Sequence, residues 1–369
     1  MSILGDLQNN CICNVDGLDG YLSLSDTEKE RIGEIIKRYP LKVTPYYLGL
    51  IDKNDPADPI RKLCIPEYSE HTDDGEEDTS GEAQNTVVKG MQHKYSQTVL
   101  ILSTNKCASY CRHCFRKRMV GYCGDEVADD LEKMASYVSS HKEINNVLIS
   151  GGDAFANENS VIRDYLETFS ALDNINLIRF GTRVPVVMPQ RIYEDEEFLS
   201  ILKEYGKKIQ IAVVTQFNHP REITEEAKKA VRAVIECGAY VRNQSVLLKG
   251  VNDDPQILSD LMNKAVSAGA IPYYLFQCRP VLGVKNHFQV PLPAAAGIIR
   301  DARKLMNGQA RGFRYVLSHP TGKIEMIGLM GEEMLFKYHE AKSDKDQGRL
   351  FCIRPDEKKC WLDDADIKQ

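Results

Sequence analysis

Apolar residues along the chain fall into two alternating patterns. Short runs of β-branched and other apolar residues occur at 98–103, 146–150, 177–180, 210–214, 240–248 and 272–276. Most are separated by segments whose apolar positions recur every three or four residues, such as VADDLEKMASYVSSH, IYEDEEFLSILKEYG, TEEAKKAVRAVIECG and DPQILSDLMNKAVSAG. The first pattern predicts buried strands and the second amphipathic helices. Continuous apolar strands alternating with helices predict a parallel sheet covered by helices on its outer face. Six such units make an α/β fold, a partial (β/α)6 TIM-like barrel over 93–310. Barrels place their chemistry at the C-terminal ends of the strands. Here those ends read TNKCASYCRHC, GGDAF, GTRVPVVMPQR, TQFNHP, KGVND and QCRPVLG, polar and glycine-rich as a shared active face requires.

The flanks differ. Residues 1–68 predict an N-terminal helical segment, with 24–62 read as helical. Ser25 and Asp26 precede TEKERIGEIIKRYP, acids stand in the opening turn and Pro40 ends the helix. Between 70 and 82, EHTDDGEEDTSGE carries seven acids and no Lys or Arg. With no apolar side chain to offset ordering entropy, it predicts a flexible linker over 69–92. After 310, FRYVLSHPTGKIEMIGL predicts a hairpin around Pro-Thr-Gly that opens a C-terminal extension, 311–369.

Composition narrows the class. Hydrophobic residues make up 43% and charged residues 27%, as in a soluble globular protein. No run of about 18 apolar residues predicts a membrane span, and no basic flank followed by an apolar stretch reads as a leader, so a cytoplasmic location is expected. A formal charge of −6 argues against nucleic acid as a partner. Eleven cysteines in such a chain point to metal or redox chemistry before disulfides. Cys64, Cys123 and Cys237 sit in unrelated contexts and read as inert thiols. Cys107, Cys111 and Cys114 fall within eight residues.

Three thiolates at Cys-x3-Cys-x2-Cys spacing can hold three corners of a cubane iron–sulfur cluster. A site with three protein ligands leaves one iron open to a reactant. The alternative is a zinc site completed by His113 or a remote cysteine, but zinc knuckles place a second C-x2-C pair farther on and none appears nearby.

This triplet, with an aromatic before the second cysteine, resembles the radical S-adenosylmethionine superfamily. More narrowly, CASYCRHCFRKRMVG, VLISGGDAF, IRFGTRVPVVMPQRI, FNHPREIT and NQSVLLKGVND resemble, in order, the blocks of the lysine 2,3-aminomutase family. The resemblance spans roughly residues 40–325. It implies a 4Fe-4S cluster on the three cysteines and S-adenosylmethionine on the open iron, cleaved by one electron to a 5′-deoxyadenosyl radical. It assigns the S-adenosylmethionine contact to Ser150, Gly151, Gly152 and Asp153, whose glycines admit a close backbone and whose acid pairs with the methionyl amine. The bland reading of that block is a tight turn with a surface acid. Arg116 corresponds to the family position that grips the substrate carboxylate. Arg183, Gln190 and Arg191 fill a polar strand end that suits either an anion or structural ion pairs. Asn243 and Gln244 sit late in a strand where amides orient cofactor or substrate.

The chain also departs from that family. Its aminomutases hold pyridoxal 5′-phosphate as a Schiff base on a lysine in a glycine-rich loop. The matching loop here, SHPTGKIEM, offers Lys323 as that catalytic lysine but has a single glycine; the alternative is a lysine in an exposed hairpin. Lys94 and Thr98 stand where the lysine enzymes have two phosphate-binding arginines, so one cation is kept. Lysine enzymes present acids to the substrate's side-chain amine; here the corresponding places hold Arg279, within Gln277-Cys278-Arg279, and Ser318-His319. A cation in place of an acid points away from lysine and toward an acidic or other side chain. The family's structural zinc is not expected, since Asp254 falls near one ligand position and Cys352 and Cys360 form no tight triplet.

The leading expectation is therefore an aminomutase-like isomerase acting on a small amino-acid substrate other than lysine. It would use the cluster, S-adenosylmethionine and pyridoxal phosphate, take electrons from a donor such as flavodoxin or ferredoxin, and form a homo-oligomer. Two alternatives stand beside it: a radical enzyme without pyridoxal phosphate acting on another substrate, and a non-catalytic iron–sulfur or zinc module for sensing or scaffolding.

Overall fold

A computed structural model describes residues 3–122 and 124–368; Cys123 lies outside them. Twelve strands form one sheet whose spatial order follows the chain. They are β1 (Thr86–Val88), β2 (Met91–Tyr95), β3 (Thr98–Leu102), β4 (Asn146–Ser150), β5 (Leu177–Gly181), β6 (Gln210–Thr215), β7 (Tyr240–Leu247), β8 (Ala270–Gln277), β9 (Arg314–His319), β10 (Gly322–Met330), β11 (Glu333–Ala341) and β12 (Leu350–Ile353). Every pairing from β3 to β9 is parallel, while β1–β2–β3 and β9–β10–β11–β12 are antiparallel. The six apolar runs correspond to β3–β8, and the Pro-Thr-Gly hairpin joins β9 to β10 with His319 opposite Gly322. The C-terminal strands thus extend the parallel sheet.

Burial alternates along the central strands. In β4, Val147 and Ile149 are buried while Leu148 and Ser150 are partly open; β7 alternates in the same way over eight residues. The buried set packs with helix residues such as Leu166, Phe169, Phe198, Ile201, Val231 and Leu258 in one core. Each such side chain contributes about 1.5–3 kcal/mol by leaving water. Helices cover the outer face, as the alternating pattern predicted. The opposite face instead lines a cavity.

Polar side chains set where the helices begin. Asp130, Asp195, Thr224 and Asp254 each accept a backbone N–H of the first turn of their helix, a contact worth about 1 kcal/mol. Near the N-terminus, Ser25 and Glu28 close a capping box on the helix Asp26–Arg38. That helix stops two residues before Pro40, and the rest of 24–62 holds only short turns, Pro45–Leu48 and Pro59–Cys64, each started by a proline after Thr44 or Asp58.

The acidic stretch departs most from expectation. Residues 69–92 were read as a flexible linker, yet β1 and the start of β2 form within them and the end acids of 70–82 are buried in ion pairs. Glu70, fully buried, takes Arg112 through two oxygens at 2.9 and 2.5 Å and Lys117 at 2.6 Å. Glu82 pairs with Arg116 and Arg118, both at 2.8 Å. Between them, Glu76 forms a parallel bridge with Val281, and a Cβ on Gly75 would lie 2.6 Å from the Leu282 nitrogen. Charge complementarity, in place of apolar contact, orders this stretch of the chain. Burial alone would raise the Glu70 carboxyl, but Arg112 and Lys117 outweigh it and hold it down to about 2.

Removing one partner of a buried ion pair leaves the others unneutralised, at about 3–5 kcal/mol. Glu70→Gln is therefore expected to lower the urea unfolding free energy at pH 7 by about that amount. Since the folded carboxyl lies below its unfolded value, this stabilisation is present above about pH 4.3 and lost as pH falls toward 2. The gap between Glu70→Gln and the parent should shrink over that window, and a constant gap would contradict the pairing.

Candidate active site

The thiols of Cys107, Cys111 and Cys114 lie in the loop after β3, and neighbouring backbone fixes that loop on two sides. Tyr110 N–H donates to the Lys42 carbonyl at 2.8 Å and Arg112 N–H to the Leu63 carbonyl at 2.9 Å. From β4, Gly152 N–H donates to the Thr104 carbonyl at 2.6 Å and Asp153 N–H to the Lys106 carbonyl at 2.8 Å. This explains the glycine pair. Gly151 has φ +108°, and a Cβ on it would sit 2.4 Å from the Thr104 oxygen; one on Gly152 would sit 2.3 Å from the Lys106 oxygen. The close approach these glycines permit is that of the cysteine loop.

All three thiols line one cavity of about 310 Å³, a size that suits a small molecule. Its wall takes Leu100 from β3, Ser150 from β4, Arg179 from β5, Val214 from β6, Gln244 from β7, Phe276 from β8 and Ser318 from β9. Among the described residues, no three His, Cys, Asp or Glu side chains converge as a single metal ion requires. Thiols spread around one cavity suit a cubane, in which each cysteine binds a separate iron. Burial raises the Cys107 thiol well above its ordinary range, with Asp153 and the other two thiols adding to it; such thiols ionise when a metal centre takes them.

Arg183 anchors this wall. Its guanidinium donates to Cys111 Sγ at 2.7 Å, to Glu222 at 2.6 Å, to the Tyr47 hydroxyl at 3.1 Å and to the Gln216 carbonyl at 3.1 Å. It is a structural cation touching the cluster loop, and Arg191, fully buried against Asp195 and Asn159, is structural as well. Asp153 is buried and takes Thr182 Oγ1 at 2.5 Å, Arg183 N–H at 2.7 Å and Phe155 N–H at 3.0 Å. It therefore ties the strand ends of β4 and β5 together on the cavity wall. The surface-acid alternative does not hold. His113 faces the cavity with Nδ1 buried and unpartnered, while Nε2 meets Gln216 at 3.0 Å; burial, then Arg183, lowers it to about 3, so it is neutral at pH 7.

The remaining candidates divide. Gln244 lines the cavity, but Asn243 is buried on the opposite face of β7, as neighbouring strand residues must be. There Asn243 accepts Phe217 N–H at 2.8 Å and donates to Ser245 at 2.9 Å. It supports the loop after β6 and does not face the ligand space. Arg116 lines the cavity while paired to Glu82; its Nη1 makes only long contacts, 3.3 Å to Ser150 Oγ and to the Gly151 carbonyl. Arg279 lines the same cavity, hydrogen-bonded to Ser80 and, at 2.6 Å, to Ser318, with its guanidinium 4.6 Å from the Phe115 ring centre.

Lys323 is half-buried on β10, ion-paired with Glu340, and its ammonium lies 4.2 Å from the Tyr95 ring centre. The exposed-hairpin alternative therefore does not hold. Its register partner is Ser318, which is on the cavity wall. Lys94 donates to the His319 carbonyl at 2.8 Å. Burial, followed by repulsion from Arg279, Lys323 and Lys342, lowers its ammonium to about 7. On β5, Arg179 has a buried Nε with no partner. These cations are opposed chiefly by Glu340, and a buried surplus of positive charge with an orphaned donor fits a bound phosphate. Arg179, Glu340, Glu82 and Glu222 were missed in the sequence. An arginine inside an apolar strand, LIRFG, was the available signal for Arg179; the acids gave none.

A side chain at Gly152 must displace the cysteine loop. Gly152→Ala is expected to cut iron per chain after anaerobic reconstitution at least about threefold, measured by iron assay, and Cys111→Ala to lose cluster absorbance.

Residues 101–261 match the family model described as the radical SAM superfamily. The chain is 37% identical over 319 residues to the L-lysine 2,3-aminomutase of Clostridium subterminale, covering 85% of this chain and 74% of that one. It is 37% identical to the L-lysine 2,3-aminomutase of Methanococcus maripaludis, over 85% and 72%, and 34% identical to the glutamate 2,3-aminomutase of Clostridioides difficile, over 85% and 73%. Likeness of this extent, together with three thiols on one cavity below a parallel sheet's strand ends, places the chain in the lysine 2,3-aminomutase family of radical S-adenosylmethionine enzymes.

Proposed function

We propose that this enzyme moves an amino group between adjacent carbons of an amino acid other than lysine. The observation that carries the reading is a single cavity with three thiols on its wall and Arg279 in place of the acids that would receive a lysine side chain. We also infer that the sheet curls into a partial barrel, because seven successive parallel strands reach that one cavity.

Cys107, Cys111 and Cys114 would hold the 4Fe-4S cluster, and Ser150–Asp153 with Gln244 would border S-adenosylmethionine. Lys323 would hold pyridoxal phosphate, with Lys94 and Arg179 facing its phosphate. When bound, these groups supply a 5′-deoxyadenosyl radical and a π-system for nitrogen migration. The protein's own part is placement. Arg116 keeps Nε and Nη2 on Glu82 and can turn its loosely held Nη1 to a substrate carboxylate. Arg279 stays cationic at neutral pH, although burial lowers it to about 10, and Ser80 and Ser318 orient it toward an acidic substrate side chain. Segment 70–82 holds the cation-rich loop in place through the ion pairs of Glu70 and Glu82. An electron donor such as flavodoxin or ferredoxin would supply the electron, and assembly as a homo-oligomer is part of the same reading.

The second reading drops pyridoxal phosphate. The Lys323–Glu340 ion pair and the single loop glycine favour it. The two readings separate on one comparison. The first expects anaerobically purified enzyme to show pyridoxal absorbance that Lys323→Ala abolishes, and turnover that requires added pyridoxal phosphate; turnover without it supports the second.

For the substrate, Arg279→Gln is expected to raise KM for an amino acid with an acidic side chain about 10- to 100-fold, the worth of a charged hydrogen bond. Reductive cleavage of S-adenosylmethionine without substrate should stay near the parent rate. An unchanged KM would exclude Arg279 from the substrate.

A further inference from the structure

A second hollow, a groove of about 650 Å³, lies in the surface behind the thiol cavity. Its lining combines two chemistries. Lys249, Lys285 and Lys358 bring positive charge, while Val290, Pro291, Ala294, Ile298 and Leu362 bring apolar surface beside the Trp361 indole. Among the described residues, the ammonium groups of Lys249 and Lys358 have no ion-pair or hydrogen-bond partner, and both residues are exposed. Lys285 pairs with Asp74 at 2.7 Å. Two acids share the lining, and both are engaged elsewhere. Asp363 pairs with Lys359 at 3.2 Å and accepts Ala365 N–H at 2.9 Å, and Asp253 accepts Gly250 N–H at 2.8 Å. The groove is also tied to the thiol cavity. Gln277, Cys278 and Arg279 line that cavity, and Pro280 lines the groove. Gln277 Nε2 donates to the Val290 carbonyl at 2.7 Å and to the Cys360 carbonyl at 2.8 Å, both on groove residues, and Gln289 Nε2 returns from the groove to the Cys278 carbonyl at 2.8 Å. Trp361 lies over His319 of the Lys323 hairpin, with ring centres 6.4 Å apart and planes 29° apart.

The volume falls in the range of small-molecule sites. An apolar ligand would leave the lysines unanswered, and a bare phosphate would leave the indole and its apolar neighbours unused. Lysine ammonium groups take phosphate oxygens as point charges, and an indole face stacks a nucleic base. We propose that this groove binds a nucleoside diphosphate, with its base on Trp361 and its phosphates on Lys249, Lys358 and, in exchange for Asp74, Lys285. The site is independent of the substrate and of pyridoxal phosphate. It also lies outside the space lined by the three thiols. An occupant resting on Val290 and Cys360 acts on the carbonyls that Gln277 holds, and so on the end of β8 beside Arg279.

Trp361 is the one tryptophan of the chain, so tryptophan emission reports on this groove. The test titrates ADP into the full chain, reconstituted anaerobically and saturated with S-adenosylmethionine, and follows emission and heat of binding in parallel. The expected result is a saturable change in Trp361 emission with the same midpoint as the heat. Adenosine and inorganic pyrophosphate should each bind at least about tenfold more weakly than ADP. The double variant Lys249→Ala, Lys358→Ala should weaken ADP at least about tenfold, as loss of charged hydrogen bonds does, with cluster absorbance unchanged. Four outcomes would overturn the proposal: no saturation by about 1 mM ADP, which corresponds to little more than about 4 kcal/mol of binding; loss of ADP binding when S-adenosylmethionine is present, which puts ADP in the thiol cavity; pyrophosphate binding as tightly as ADP; or equal ADP affinity in parent and double variant.

Discussion

Four cations crowd the seven residues from Arg112 to Arg118, in the loop that carries the cysteines. Left alone they would repel one another, and their burial would be prohibitive. Glu70 and Glu82 make the arrangement stable. Each carboxylate meets two of the cations, and each is held ionised near 2 against the opposing effect of burial. The cluster loop therefore depends on acids brought from before the sheet begins. Its position on the other side depends on two glycines just after β4 whose missing side chains leave room for the Thr104 and Lys106 carbonyls. Charge and close packing together fix where three thiols stand.

That constraint propagates around the cavity. Asp153 joins the β4 end to Thr182 and Arg183, and Arg183 joins Cys111 to Glu222 and Tyr47. A network of this kind in a low-dielectric wall leaves few groups free to move. The groups that keep spare capacity are informative. Arg116 has one loosely bound nitrogen, Arg179 has an unpartnered one, and His113 has a buried bare nitrogen. These donors and acceptors face the space in which the family's cofactors and substrate belong.

The opposite end of the cavity carries the chain's individuality. Arg279 donates to Ser318 on the cavity wall, and Lys323 is held by Glu340 beside Tyr95. The family membership sets the radical chemistry; on the reading proposed above, these few side chains set what can bind.

The strands, their parallel succession and the cysteine triplet were legible in the sequence, because period-two and period-3.6 patterns and short-range spacing are local properties. So were the start of the helix after Ser25 and the final hairpin. What the sequence could not determine was pairing at a distance. Nothing in EHTDDGEEDTSGE says that its first and last acids will meet Arg112 and Arg116, more than thirty residues away, and composition alone made it a linker. Asn243 and Gln244 read alike until strand alternation turned one outward and the other into the cavity. The roles of Gly151 and Gly152 likewise came from the neighbouring strand's loop. Local pattern sets which elements form, whereas burial and long-range charge, which exist only once the chain is folded, decide which side chains are left free to act.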